Sequence, residues 1–343
     1  MKWMIYGAYG YTGELITHHA KKMGYQPILA GRSEEKTREL AERTHLEYRV
    51  FDLEPEDIIE HLKDVDLVVH CAGPFEITAE PMMRACIEAS THYLDITGEI
   101  SVFELGHSLR KEAEQAGIVI CPGVGFDVIP TDCIAARLKS QMPDATHLRL
   151  GFDSRSRMSR GTSKTSVRRL GEGGAVRQDG QIINVPLAYK TDEINFGDGK
   201  KLAMTIPWGD VSTAYYTTGV PNIEVYIPAS PKLVKSLKRL NWFRWLLRYE
   251  FVRNWMSKKI DKQPAGPESK EREKNATWVW GEIKNAKGDV ITLREKVLNG
   301  YTLTARGAVE LAIYVLRNQL NPGFYTPSRL YGAKLIDRFL AEK

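Results

Sequence analysis

Residues 5–13, Ile5-Tyr6-Gly7-Ala8-Tyr9-Gly10-Tyr11-Thr12-Gly13, decide the fold. The apolar run MIYG leads into three glycines spaced three apart, and a helical pattern follows. A parallel strand that ends in glycines and feeds a helix presents unpaired backbone N–H groups and the positive end of the helix dipole, which together suit a pyrophosphate. Gly7 permits the tight turn, Gly10 the close approach of a phosphate, and Gly13 the contact of helix with sheet. Tyr11 and Thr12, at the helix start, join them as expected dinucleotide contacts. The spacing is G-x-x-G-x-x-G and not G-x-G-x-x-G. Its place after the first strand of a strand-helix-strand unit therefore carries more weight than the spacing.

Working outward, the runs MIYG, PILAG, YRVFD, LVVHCAG, YLDITG and IVICPG are each followed by ten or more residues of mixed polarity. That rhythm is the one of repeated strand-helix-strand units around a parallel sheet. The second run ends in Gly31-Arg32-Ser33, where an NAD site usually places an acid for the ribose 2'-hydroxyl. Arg32 suits a 2'-phosphate instead, so NADP(H) is the expected cofactor, with Ser33 beside it. Ser33 also suits the cap of the next helix. Asp52, past the third run, either borders the adenine or caps the helix that follows. Gly73 and Pro74, after the fourth, are expected beside the ribose and nicotinamide, because the ligand of a doubly wound sheet lies across the carboxyl ends of its strands.

After residue 145 the rhythm changes to THLRLGF, KLAMTIP, NIEVYIP, TWVWGEI and DVITLRE, which read as antiparallel strands. Helical patterns run over 162–170, 232–259, 302–318 and 328–340. The expected architecture is α/β: a Rossmann-type doubly wound parallel sheet with a second α+β domain built on a mainly antiparallel sheet. The expected bounds are 1–144 for the NADP-binding domain, 145–324 for the substrate domain and 325–343 for a terminal helix returning toward the first.

Composition narrows the function classes. The chain has 343 residues, 43% hydrophobic and 27% charged, with a net charge of +5, the profile of a globular protein. No apolar run approaches the roughly 20 residues of a membrane span. A strand that starts almost at once leaves no room for a signal peptide, so a cytoplasmic protein is expected. Cys71, Cys86, Cys121 and Cys133 lack CxxC spacing and suggest buried thiols, neither a metal site nor a disulfide framework. The stretch from Arg155 to Arg177 holds seven basic residues and one acid but no aromatic residue to stack on a base. Nucleic acid is not an expected partner. A small-molecule or acyl substrate is, and a homodimer is compatible with the size.

A hydride donor supplies half of a reduction, and the other half is a proton or a stabilising partner for the substrate. All eight histidines lie at or before His147, so the second domain cannot supply a histidine acid. His70, at a strand end, reads more readily as a core residue. The stretch GVGFDVIPTD follows a buried strand and precedes a helix that Pro130 can start. Asp127 is the leading candidate there for catalysis or substrate binding, and Asp132 serves the helix dipole. Tyr93, Asp95 and Glu99 stand at the neighbouring strand end as weaker candidates. Arg160, in Ser159-Arg160-Gly161-Thr162 at a helix start, is positioned to hold an anionic or carbonyl oxygen.

Residues 232–262 hold ten basic residues and two acids together with Trp242, Trp245 and Trp255. Two readings stand open for this stretch. One is a helix packed on the second domain with its lysines in water. The other is an interfacial helix in peripheral contact with a membrane, tryptophans at headgroup level.

The set YGAYGYTG, AGR, HCAGPF, YLDITGE and PGVGFDVIPTDC resembles the saccharopine dehydrogenase-like oxidoreductases, which include saccharopine reductase relatives and trans-acting enoyl reductases. SRGT, GEGGAVRQDG, IPWGDVSTAYYTTGVPN and TPSRLYG look like a bacterial branch of that family. The resemblance implies an NADP-binding Rossmann domain, a substrate domain inserted after its sixth strand, and a terminal helix packing near the first domain. It implies an NADPH-dependent reduction of a small or acyl-chain carbonyl or enoyl compound. The Lys and His acid-base groups of true saccharopine dehydrogenase have no matching motif here. Reductive amination and a non-catalytic NADPH-binding role at a membrane are the alternatives.

Overall fold

The computed structural model describes residues 1–157, 159–249, 258–260, 264, 266–267, 272 and 275–342. The chain opens with β1 (Trp3–Tyr6), α1 (Tyr11–Lys22), β2 (Ile28–Gly31), α2 (Glu34–Thr44), β3 (Tyr48–Val50) and α3 (Pro55–Leu62). It continues through β4 (Leu67–His70), α4 (Phe75–Glu88), β5 (His92–Asp95), α5 (Ile100–Ser108), α6 (Arg110–Ala116), β6 (Val119–Cys121) and α7 (Ile129–Gln141). Then come β7 (Ala145–Asp153), α8 (Arg160–Arg169), β8 (Gly174–Gln178), β9 (Gln181–Val185), β10 (Thr191–Asn195), β11 (Lys200–Thr205) and α9 (Asp210–Thr218). β12 (Asn222–Pro228) and α10 (Pro231–Leu240) lead to a 3-10 helix, Asn241–Arg248. The last elements are β13 (Thr277–Asn285), β14 (Val290–Val297), α11 (Gly300–Arg317), β15 (Gly323–Phe324), α12 (Pro327–Tyr331) and a 3-10 helix, Ala333–Phe339.

Two compact units emerge, 1–129 with 300–332 and 130–299 with 333–343. The first is built on a sheet of order β15-β6-β5-β4-β1-β2-β3, every pairing parallel. β1 and β4 are neighbours and the winding reverses there, which puts the ligand-binding crevice at their carboxyl ends. β1, β2 and β4 are buried at every residue, as a parallel sheet covered on both faces requires. The six strand-like runs of the sequence are β1 to β6.

The domain bounds depart from expectation at both ends. α11 buries Leu303, Ala308, Leu311 and Ala312 in the first unit and packs on α1, and β15 pairs with β6, so 300–332 belongs to the Rossmann unit. The extreme carboxyl segment belongs to the second unit. There Leu298 N donates to Phe339 O (2.9 Å) and Ala341 N to Lys296 O (2.9 Å). The helix expected over 328–340 is two pieces, interrupted at Gly332 with φ +105°.

The second unit holds a sheet of order β10-β11-β12-β7-β13-β14. Its pairings are antiparallel except β12 with β7, and a β8–β9 hairpin joins through β12. Ile134 and Leu138 of α7 press on Gly281 of β13. Phe196, Tyr226 and Trp280 anchor a further cluster. The long helix expected over 232–259 is α10 followed by the 3-10 helix, with Tyr249 extended, while Trp255 lies outside the described residues. Among the described residues no helix is long and apolar enough to cross a membrane.

Candidate functional site

The first unit carries a continuous rim along the carboxyl ends of β1, β4, β5 and β6. Gly7 takes φ +79°, and a Cβ there would come within 2.8 Å of Ala72 N, so the turn after β1 lies directly on the turn after β4. A Cβ on Gly13 would overlap the carbonyl oxygen of Gly7, which fixes how close α1 sits to the strand. A Cβ on Gly10 would meet only Gly7 O, at 3.2 Å, and otherwise open space. Gly10 is the N-cap of α1, and no side chain caps that helix end. The helix start at Tyr11, Thr12 and Gly13 therefore borders an open cradle that a pyrophosphate fits. Tyr11 meets Tyr301 of α11 edge-on, ring centres 5.2 Å apart.

At the end of β2, Arg32 is exposed, and its guanidinium makes no hydrogen bond or ion pair among the described residues. Ser33 is the N-cap of α2 without a side-chain cap bond, so its hydroxyl is not committed to the helix. These two fit a 2'-phosphate. Asp52 is exposed, and its Oδ1 accepts from Leu53 N at 2.8 Å. It is not the cap of α3, which is Glu54.

The turn after β4, with Gly73 exposed and Pro74 as the N-cap of α4, is tied to the turn after β5 by Glu99. Glu99 Oε2 accepts from Glu76 N at 2.7 Å and Oε1 from Phe75 N at 3.3 Å, a carboxylate on a helix N-terminus. Asp95, wholly buried, ties the turn after β5 to that after β6. Its Oδ1 accepts from Thr97 N (2.9 Å) and Gly123 N (2.8 Å), and its Oδ2 accepts from the Tyr93 hydroxyl (2.7 Å). Burial pushes the Asp95 carboxyl up to about 6 against the pull of those three bonds. Tyr93 is as deeply buried, and its hydroxyl is spent on Asp95. The structure thus places it inside the sheet, holding the rim, with no exposed surface of its own.

Asp127 stands at the end of this rim and is partly open to solvent. Its carboxyl lies on Gly98, whose Cβ position is 2.7 Å from Asp127 Oδ2. Burial, reinforced by the Glu99 carboxylate, pushes Asp127 up to about 7. The loop is pinned from α11: Phe126 N donates to Thr304 Oγ1 at 3.0 Å. Thr304, Tyr301 and the tie through Glu99 had no local mark in the sequence, since their partners lie tens to hundreds of residues away.

His70 is a core residue, as the residue pattern suggested. Thr78 Oγ1 donates to Ala72 O (2.6 Å), so His70 Nε2, 3.0 Å from Thr78 Oγ1, is the donor to that hydroxyl. Burial lowers the imidazole to about 3, which keeps it neutral. In the second unit, Ser159 caps α8 by accepting from Thr162 N at 3.2 Å, so the helix that Arg160 opens has one N–H already bonded. Asp132, in the first turn of α7, accepts from the Thr217 hydroxyl. Arg177 is buried, donating to Val211 O and Gly180 O, and Arg155 pairs with Asp198. Among the described residues no cluster of His, Cys, Asp or Glu is suited to a metal. A cleft of about 540 Å³ on this unit's sheet is lined by charges that largely pair with each other, such as Arg149 with Asp192 and Glu282.

A doubly wound parallel sheet with a glycine turn at its switch point defines a dinucleotide-binding protein of the Rossmann class. Residues 3–121 match the family model of the saccharopine dehydrogenase NADP binding domain. The cofactor is NADP(H). Rat saccharopine dehydrogenase-like oxidoreductase is 28% identical over 209 residues, covering 53% of this chain and 49% of the relative. The trans-acting enoyl reductase of Mycobacterium bovis is 31% identical over 140 residues, covering 38% of this chain and 33% of the relative. The chain thus spans about half or less of the curated relatives it matches. Apo saccharopine dehydrogenase (L-Glu forming) of Saccharomyces cerevisiae superposes with a TM-score of 0.68 at 12% identity, covering 100% of this chain and 99% of that one, a likeness of fold.

Proposed function

We propose that the protein is an NADPH-dependent reductase of a small or acyl-chain carbonyl or enoyl compound, with Asp127 as its proton donor. The observation that carries this reading is the place of the Asp127 carboxyl, packed on Gly98 in a loop pinned by Thr304 at the end of the same rim as the glycine turn, where burial raises it to about 7. An acid whose pKa lies near neutrality suits general acid catalysis, because it is protonated often enough and still yields its proton. NADPH, when bound, supplies hydride to the substrate carbon.

The chain's own residues do the rest. Gly10 and the start of α1 receive the pyrophosphate, and Arg32 with Ser33 receives the 2'-phosphate. Glu99 keeps the turn after β4 in place, and burial, reinforced by its charge, holds the proton on Asp127. That proton then passes to the substrate oxygen of a carbonyl, or to the α-carbon of a reduced enoyl group, leaving Asp127 ionised until solvent reprotonates it. The relative named trans-acting enoyl reductase favours an enoyl compound among these.

NADPH oxidation across a panel of carbonyl and enoyl compounds tests the reading. Turnover with at least one of them should fall as pH rises through about 7, where Asp127 loses its proton. Tight NADPH binding with no turnover on any compound would favour the non-catalytic alternative.

A further inference from the structure

We propose that Pro231–Tyr249 docks the protein on an anionic membrane surface, with Trp242, Phe243, Trp245 and Leu246 entering the headgroup region. Thirteen large apolar or aromatic side chains are exposed among the described residues, and six of them fall between Leu233 and Tyr249. Trp242 is 79% exposed, Phe243 61% and Trp245 57%. Isolated exposed apolar residues are ordinary, whereas a concentration of this kind marks an interaction surface.

The patch cannot relieve its exposure by turning inward, because its other side is already engaged. Val234 is buried with Ala188 and Met204, and Leu237 packs on them. Ser230 caps α10 through Leu233 N at 3.2 Å. The Asn241 side chain grips the backbone of Leu187 from both ends, accepting from its N–H (2.9 Å) and donating to its carbonyl (3.1 Å). The 3-10 helix is therefore fastened to the second unit with its aromatic residues facing out.

Charge selects the occupant. From 231 to 249 the chain carries Lys232, Lys235, Lys238, Arg239, Arg244 and Arg248, and no acid. Two copies of so positive a patch repel each other across a two-fold axis, which disfavours a self-interface. An anionic bilayer complements it, each basic side chain near the surface raising partitioning about fivefold. Indole rings favour the headgroup level, where an apolar body and a polar N–H are both accommodated. The proposal concerns the second unit alone and stands apart from the reaction assigned to Asp127.

The test is flotation of the full chain with phosphatidylcholine vesicles, with and without phosphatidylglycerol. The expected result is binding to the anionic vesicles at low salt, falling roughly tenfold or more on neutral vesicles or at high salt. Trp242→Ala with Trp245→Ala should remove binding at low salt while leaving NADPH affinity unchanged. Lys235→Glu with Lys238→Glu should lower it by about tenfold or more, an independent check should the tryptophan pair disturb folding. No binding at low salt, equal binding to neutral vesicles, or binding that neither pair of substitutions alters would overturn the proposal. So would a dimer of the unsubstituted protein that the tryptophan pair dissolves, since the patch would then belong to a second copy.

Discussion

The turn after β1 and the loop after β6 sit on one edge of one parallel sheet, yet they are built by opposite means. The first works by what it lacks: Gly10 leaves open space where a side chain would stand, and the first turn of α1 goes without a side-chain cap. The second works by what it crowds: Asp127 is pressed on Gly98 beside the Glu99 carboxylate until its proton is held to about 7. An absence is easily broken by adding atoms. A crowded acid is broken only by removing its charge or its neighbours.

That contrast orders the expected effects. Gly10→Val would fill the cradle with a branched side chain, and NADPH and NADH should both lose about 100-fold or more in affinity, roughly 3 kcal/mol, by titration calorimetry. Retained affinity for either nucleotide would place the pyrophosphate elsewhere. Next in size is Asp127→Asn, which keeps the shape of the loop and removes the proton. Once a substrate is in hand, kcat should drop by about 100-fold with NADPH affinity unchanged, and the fall of rate above about pH 7 should vanish. An unchanged pH profile would take the acid role away from Asp127.

A smaller effect belongs to Arg32. A free guanidinium adds a charge-assisted contact of about 1.5–3 kcal/mol to a 2'-phosphate, so the intact protein should prefer NADPH to NADH by at least about tenfold. Arg32→Ala should erase most of that preference by weakening NADPH alone. Equal affinity for the two nucleotides in the unsubstituted protein would contradict the role.

The two regions also differ in how far they could be read from the residues alone. Gly10 and Gly13 act within one turn of chain, and β1 to β6 are runs whose apolar character is local, so both were legible. The environment of Asp127 is assembled from Gly98, Glu99 and Thr304, and neither hydrophobic periodicity nor turn signals report on contacts of that separation. Tyr93 shows the converse. Its strand-end position suggested chemistry, but period-two alternation could not say that its hydroxyl would be sealed onto Asp95. β15 is two residues long and exists only by pairing with β6, so the return of 300–332 to the Rossmann unit left no periodic trace.

The smallest expected effect separates the two acids of the rim, Asp127 and Asp95, and needs no substrate. Asp127 has a folded pKa near 7 against an unfolded value of 3.8, so between those values the unfolded chain gives up a proton that the folded protein keeps. Stability from this group is therefore present below about pH 4, is lost as pH rises toward 7, and stays lost above it. Asn does not titrate. The melting temperature of Asp127→Asn, measured against the unsubstituted protein, should be about level near the acid end of that window and gain roughly 2 °C or more at its upper end. Asp95 titrates in the same direction, pushed to about 6, but three donors depend on its two oxygens. An amide has only one acceptor oxygen, so Asp95→Asn should lower the melting temperature across the whole range, leaving a donor unsatisfied at about 1–3 kcal/mol. If instead the Asp127→Asn difference is flat with pH, the Asp127 carboxyl ionises like any exposed acid. The crowding by Gly98 and Glu99 would then have no hold on its proton, and the donor assigned to the reduction would have to be sought elsewhere on the rim.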